Sequence, residues 1–193
     1  MTEPEVAAAD KILRAQGIRY VVVGGQAVAQ KAATTTRDVD VMVATVDYAS
    51  TVARLRQVPD LAFDWDENNL ARFRILSLGG VPLDIINPTA FAGNKDGAAF
   101  FRYLLADSKS DASGIAYSSP ELVWYTRLLT KRWKSYAEKI VTNVIDGVPP
   151  DRLARVEGIA RQFGTEATIK ERVAYVREEL SRPDVSSLIR KSS

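Results

Sequence analysis

Apolar positions along this chain mix two periods in the first half and keep one, the helical period, in the second. The opening segment has helical spacing. Thr2 and Glu5 have the S/T-x-x-E form of a capping box, Pro4 suits a first turn, and Gly17 marks the end. Residues 18–23 (IRYVVV) are rich in β-branched side chains and bounded by glycines, the pattern of a buried strand. Gly24 and Gly25 close it, and the following QAVAQKAA reads as a short helix. Residues 38–43 (DVDVMV) open on alternating Asp and Val, which predicts a strand, and residues 46–55 return to helical spacing. Two apolar runs, 73–78 and 81–86, flank Gly79 and Gly80, which predicts a hairpin with a tight primed turn.

From Pro88 onward the pattern is helical, with Phe100, Phe101, Tyr103, Leu104 and Leu105 supplying an apolar face. Ser119, Pro120 and Glu121 form a helix start, and Pro149, Pro150, Gly164 and Pro183 punctuate the helices beyond it. Strands mixed with helices, followed by helices alone, predict an α/β (α+β) fold: a mixed sheet flanked by helices, with a helical C-terminal part. The polar stretch DSKSDASG is the candidate boundary, giving a core of residues 1–108 and a helical subdomain of residues 109–193.

Composition narrows the chemistry. The 193 residues include no cysteine and no histidine. Disulfides, thiolate metal sites, Ser-His-Asp hydrolysis and Cys-His proteolysis are therefore excluded. Any metal must be held by oxygen, which favours Mg²⁺ or Mn²⁺. No apolar run is long enough to span a bilayer, and the first residues do not read as a signal peptide, so a cytoplasmic protein with no membrane partner is expected. Net charge is +2, unevenly placed. Residues 1–108 carry 11 Lys/Arg against 13 Asp/Glu, and residues 109–193 carry 15 against 11. The basic half either faces a polyanion or is a solvated helical surface.

The informative segment is VGGQAVAQKAATTTRDVDVMV. It joins a Gly-Gly at a strand-to-helix turn to an Asp-x-Asp after twelve residues. Glycines let a backbone approach a ligand closely, and free N–H groups at the next helix suit an anion such as a triphosphate. Gly24, Gly25 and Gln26 are thus candidates for nucleotide binding. Arg37, beside the Asp pair, either joins them or serves the structure. Asp38 and Asp40, two apart on a strand, point to one face. Side by side they repel each other unless a divalent cation intervenes. A two-metal phosphoryl-transfer site needs a third carboxylate, and Asp84, in the apolar strand VPLDII, is the candidate. Arg72 and Arg74, opening the first strand of the hairpin, either line the same cleft or face solvent.

Gly-Gly, a spacer, Asp-Val-Asp and a lone Asp on a later strand resemble the DNA polymerase β nucleotidyltransferase superfamily over residues 20–86. The resemblance implies that Asp38 and Asp40 bind two Mg²⁺ ions that grip an NTP such as ATP. It implies that Asp84 activates the attacking hydroxyl and that pyrophosphate leaves. A second resemblance lies in SSPELVWYTRLLTKRWKSYAEKI, which is similar to the helix pair of AbiEii and MenT-type toxin nucleotidyltransferases. It implies that Lys131 reaches the triphosphate and that Asp146 is a further site carboxylate. Where that family has an acidic pair, this chain has Ser135 and Glu138. It also implies that Thr36 is a position where a partner antitoxin can phosphorylate the toxin.

The expected activity is transfer of an NMP to an acceptor hydroxyl, with the tRNA 3′ end as acceptor and a toxin–antitoxin system as setting. Transfer to a protein or a small molecule, for which the acidic loop of Asp64, Asp66 and Glu67 leaves room, is the alternative within this chemistry. A non-catalytic partner-binding module is the alternative outside it. The run Lys131, Arg132, Lys134 and Lys139 contacts nucleic acid or is a solvated face. Trp124, Tyr125 and Trp133, interleaved with it, stack on bases or pack between helices.

Overall fold

The computed structural model describes residues 4–29, 38–64, 72–78 and 81–192. Thr2, Thr36, Arg37, Asp66, Glu67, Gly79 and Gly80, to which the sequence attaches expectations, lie outside the described residues.

Helix α1 (Pro4–Ala15) buries Val6, Ala9 and Leu13, spaced three and four apart. Gly17 ends it in the left-handed region, at φ +64°. The Ile18 amide then donates to Leu13 and the Gly17 amide to Arg14, the double bond of a Schellman motif that turns the chain into the sheet. Strand β1 (Tyr20–Val23) runs into helix α2 (Gly24–Ala29). Strand β2 (Val39–Val43), helix α3 (Thr45–Leu55), the two-residue β3 (Phe63–Asp64), β4 (Arg72–Leu78) and β5 (Val81–Ile86) follow. Beyond a 3₁₀ turn at Pro88–Phe91, capped by the Asn87 side chain, comes α4 (Gly97–Asp107), capped by Asp96. Two short strands, β6 (Lys109–Ser110) and β7 (Ala116–Tyr117), complete the sheet.

The strands form one mixed sheet in the order β3-β4-β5-β2-β1-β7-β6. β2 runs parallel to β5 and β1 parallel to β7; the remaining pairs are antiparallel. Register places Phe73, Ile85, Val41, Val22 and Tyr117 side by side across five strands. All five are buried on one face, where α1 adds Val6, Ala9 and Leu13 to the same core. Every residue one step along these strands points to the opposite face.

The chain divides into two compact units, one of Met1–Ala27 and Thr35–Ser119, the other of Val28–Thr34 and Pro120–Ser193. The division thus falls after Ser119, beyond the polar stretch at residues 107–114 that the sequence suggests. That stretch belongs to the sheet. Its composition is polar because it is a hairpin turn: the Asp111 carboxylate accepts from the Ser113 and Ile115 amides, and Gly114 takes φ +76°.

The second unit holds α5 (Pro120–Leu129), α6 (Trp133–Ile145), α7 (Arg152–Phe163), α8 (Glu166–Ser181) and α9 (Pro183–Ser192). Trp124 and Tyr125 are fully buried here, so they are packing residues rather than a stacking surface. Buried Glu121 is held by Arg152 at 3.0 Å. Among the described residues no helix is long and apolar enough to cross a membrane.

Candidate active site

The face of the sheet opposite the core carries a row of charge. Register sets Arg74 of β4 beside Asp84 of β5, Asp84 beside Asp40 of β2, and Asp40 beside Val23 of β1. Asp38, two residues before Asp40, is brought to the same place. One carboxylate oxygen from each of Asp38, Asp40 and Asp84 lies within 4.8 Å of the others. The three acids expected from the sequence therefore meet, and they do so because β2 and β5 are adjacent, parallel and in register. Asp84 is 1% exposed, whereas Asp38 and Asp40 are half-buried. The cluster thus has a buried floor and an open side.

Two arginines meet the buried carboxylate. Arg74 donates from Nε to Asp84 Oδ1 at 2.6 Å and from Nη2 to Oδ2 at 2.8 Å, a two-pronged pairing. The same Nη2 lies 3.4 Å from Asp38 Oδ2. Arg72, two residues earlier on β4, places Nη1 3.2 Å from Asp84 Oδ2. The hydrogen bond to Asp84 raises the Arg74 pKa above its ordinary value, and the charges of Asp84, Asp38 and Asp40 add to it against partial burial. Of the two readings the sequence leaves for Arg72 and Arg74, the structure selects the first: both reach the acidic cluster.

Gly24 is the second fixed point. It follows Val23 directly and takes φ +67°. A Cβ at this position would stand 2.0 Å from Asp40 Oδ2 and 2.8 Å from its Cγ. Only a residue without a side chain lets the Asp40 carboxylate occupy its place. The glycine pair is itself the first turn of α2, a helix of six residues. Gly25 is half-buried and Gln26 is buried at 8% exposure.

Lys131 and Asp146 belong to the second unit and are not neighbours of each other. Lys131 precedes α6 and Asp146 ends it, so the helix separates them by about 20 Å at 1.5 Å per residue. Both are exposed. Asp146 closes α6 beside Gly147 at φ +99°, where a negative charge gains nothing from the helix dipole.

The basic run around Lys131 has a distinct construction. Lys134 Nζ and the Arg172 guanidinium sit 5.7 and 5.2 Å from the centre of the Trp133 ring. Arg127 and Lys139 hold Tyr136 in the same way, at 5.6 and 5.4 Å. Arg152 of α7, Arg177 of α8 and Arg182, between α8 and α9, are bound to carboxylates. Arg172 also donates from Nη1 to the Leu128 and Thr130 carbonyls. A ring orients a lysine without cancelling its charge, so exposed Lys134 and Lys139 still attract a polyanion.

The donor set suits a divalent metal. Three carboxylates converge with no nitrogen or sulfur donor from histidine or cysteine in the chain, the all-oxygen chemistry that Mg²⁺ and Mn²⁺ prefer. The arginines supply the balancing positive charge that three close acids need.

By sequence, no protein-family profile and no curated protein matches this chain. By structure, it is similar to an antigenic nucleotidyltransferase-like protein from Paracoccidioides brasiliensis. The match has a TM-score of 0.51 at 17% identity, over 97% of this chain and 90% of that one. A Helicobacter pylori protein aligns over 100% of this chain and 94% of its own, with 11% identity and a TM-score of 0.39. The strand order, the register of the acids and the first of these likenesses together give the chain a nucleotidyltransferase-like fold, a mixed sheet with flanking helices and a helical C-terminal part.

Proposed function

We propose that this protein is a metal-dependent nucleotidyltransferase that transfers an NMP from an NTP to an acceptor hydroxyl. The observation that carries the reading is the convergence of Asp38, Asp40 and Asp84 beside Gly24, whose missing side chain leaves room for the Asp40 carboxylate. Asp38, Asp40 and Asp84 are the residues that would hold Mg²⁺ or Mn²⁺. A bound divalent ion supplies charge stabilisation at the transferring phosphoryl group. The acceptor oxygen forms a bond to the α-phosphorus, the bond from that phosphorus to the bridging oxygen breaks, and pyrophosphate departs. The proton of the attacking hydroxyl passes to the Asp84 carboxylate, which Arg74 holds at a fixed rotation. Gly24, Gly25, Gln26 and Arg37 are the proposed nucleotide contacts within the core. Lys131 and Asp146 are proposed as contributions from the helical part.

RNA is the proposed acceptor. The exposed, ring-held lysines Lys134 and Lys139 support it, since positive charge gathered on two aromatic rings favours a phosphate backbone. The finer reading is a toxin that modifies the tRNA 3′ end, restrained by an antitoxin acting at Thr36. Its support is the resemblance of the α5–α6 segment to the AbiEii and MenT-type toxins.

Acceptor choice is tested by incubating the protein with Mg²⁺, labelled NTPs and, separately, total RNA, a protein mixture and aminoglycosides. RNA is expected to carry the label. The charge reversals Lys134→Glu and Lys139→Glu together should lower RNA labelling by about tenfold near physiological salt and flatten its salt dependence. NTP binding should be unchanged. Labelling of protein or aminoglycoside alone would rule out the RNA reading while leaving the transfer chemistry in place.

A further inference from the structure

The pairing at Asp84 is more than a metal ligand requires. A carboxylate offers about four lone-pair sites, and guanidinium N–H groups already face both Asp84 oxygens, so an incoming cation must share them. Arg74 occupies Oδ1 at 2.6 Å and Oδ2 at 2.8 Å, and Arg72 approaches Oδ2 at 3.2 Å. Arg74 reaches past Asp84 to Asp38 at 3.4 Å, so one guanidinium touches two of the three acids. The arrangement is built from both sides of the hairpin: Arg72 and Arg74 share one face of β4, and Asp84 stands directly across from Arg74.

We infer that Arg74, assisted by Arg72, is a built-in counter-cation that competes with metal for Asp84 and Asp38 and thereby sets the metal affinity of the site. The inference rests on the metal-site reading above. Arg74 is here a positioning residue. It keeps the three acids assembled before metal arrives, and it lowers the negative potential that a divalent ion would otherwise feel. A guanidinium within hydrogen-bond distance of two ligands opposes an incoming cation, and burial of Asp84 strengthens that opposition by limiting solvent screening. A purely structural arginine behaves differently. Removing it would free Asp84 to swing out of place, and metal binding would weaken.

The two roles predict opposite signs for one measurement. Mn²⁺ alone is titrated into the full-length protein by calorimetry, with no nucleotide present. Arg74→Gln is expected to bind Mn²⁺ several-fold to about tenfold more tightly than wild type. Arg74→Lys keeps the charge and should stay near the wild-type affinity. Arg72→Gln removes the single, more exposed contact and should shift affinity in the same direction by less, which provides a second variant if Arg74→Gln folds poorly. In transfer assays Arg74→Gln should saturate at lower Mg²⁺ while turning over more slowly, because Asp84 has lost its fixed rotation. Equal or weaker Mn²⁺ binding by folded Arg74→Gln and Arg72→Gln would overturn the inference and leave the metal site standing. Absence of Mn²⁺ binding in wild type and both variants would overturn the metal reading and this inference with it.

Discussion

Asp40→Asn is expected to lower nucleotidyl transfer by at least about 100-fold while leaving the fold as stable as wild type or more so. The two halves of this expectation come from the same geometry. Asparagine keeps the size of the side chain, so it still fits beside Gly24, but it removes one of three carboxylates whose oxygens lie within 4.8 Å of one another. Acids so close repel, and Arg72 and Arg74 neutralise part of that charge from the Asp84 side. Removing one acid relieves repulsion in the metal-free protein and removes a ligand from the working one. Thermal unfolding without metal, compared with initial rates at saturating Mg²⁺, reads both. Retained activity with unchanged stability would mean that Asp40 serves no role in the reaction.

Gly24→Ala is the second large effect, and it acts through the same carboxylate from the other direction. An alanine there must adopt φ near +67°, which costs an L-residue about 1–2 kcal/mol. Its Cβ would also stand 2.0 Å from Asp40 Oδ2, so the acid must move. Displacement of a reacting group by about 1 Å costs on the order of 100-fold in rate, and this is the expected loss of transfer. Gly17→Ala separates the two causes. Gly17 has the same sign of φ, at +64°, but the heavy atom nearest to a Cβ added there is the flexible Arg54 Nη1, at 3.8 Å. That variant should lose comparable stability by urea unfolding and keep its activity. If Gly24→Ala transfers as well as Gly17→Ala, the Gly24–Asp40 contact has no bearing on the chemistry.

The acids were legible in the sequence because they follow simple periods. Asp38 and Asp40 stand two apart on an alternating strand, and Asp84 is a lone charge in an apolar one. Their meeting needs β2 and β5 to be adjacent and in register, as they are. The partner of Asp84 was not legible for a specific reason. A regular two-residue hairpin about Gly79 and Gly80 pairs Leu78 with Val81, as is found, and carried onward it would set Asp84 opposite Ile75. A register shift between Ile75 and Leu78 moves the pairing by one residue and brings Arg74 opposite Asp84 instead. A bulge of this kind reverses which side chains share a face, and no periodicity in the sequence announces it. Without it the buried aspartate would face an isoleucine, with no cation directly across from it.

The polar stretch at residues 107–114 shows the same limit in another form. Its composition is that of a linker, yet Asp111 ties its own backbone into a hairpin that adds β6 and β7 to the sheet. Trp124 and Tyr125, written beside a basic run, are decided by packing: both are fully buried, whereas half-buried Trp133 is the one that holds cations. Helix faces in the second unit are regular enough to read. Which aromatic residues point inward depends on neighbours that one helix does not specify.

Nucleotidyl transfer itself is tested most sharply by two labels on one substrate. Purified protein and Mg²⁺ are incubated, separately, with total RNA, a protein mixture and aminoglycosides, each with ATP and in parallel with each other NTP, carrying the label on either the α- or the γ-phosphate. The α-label should enter the acceptor, the γ-label should leave as pyrophosphate, and Asp40→Asn should do neither. Entry of the γ-label into the acceptor, or no transfer of either label to any acceptor by wild type, would contradict nucleotidyl transfer by this site.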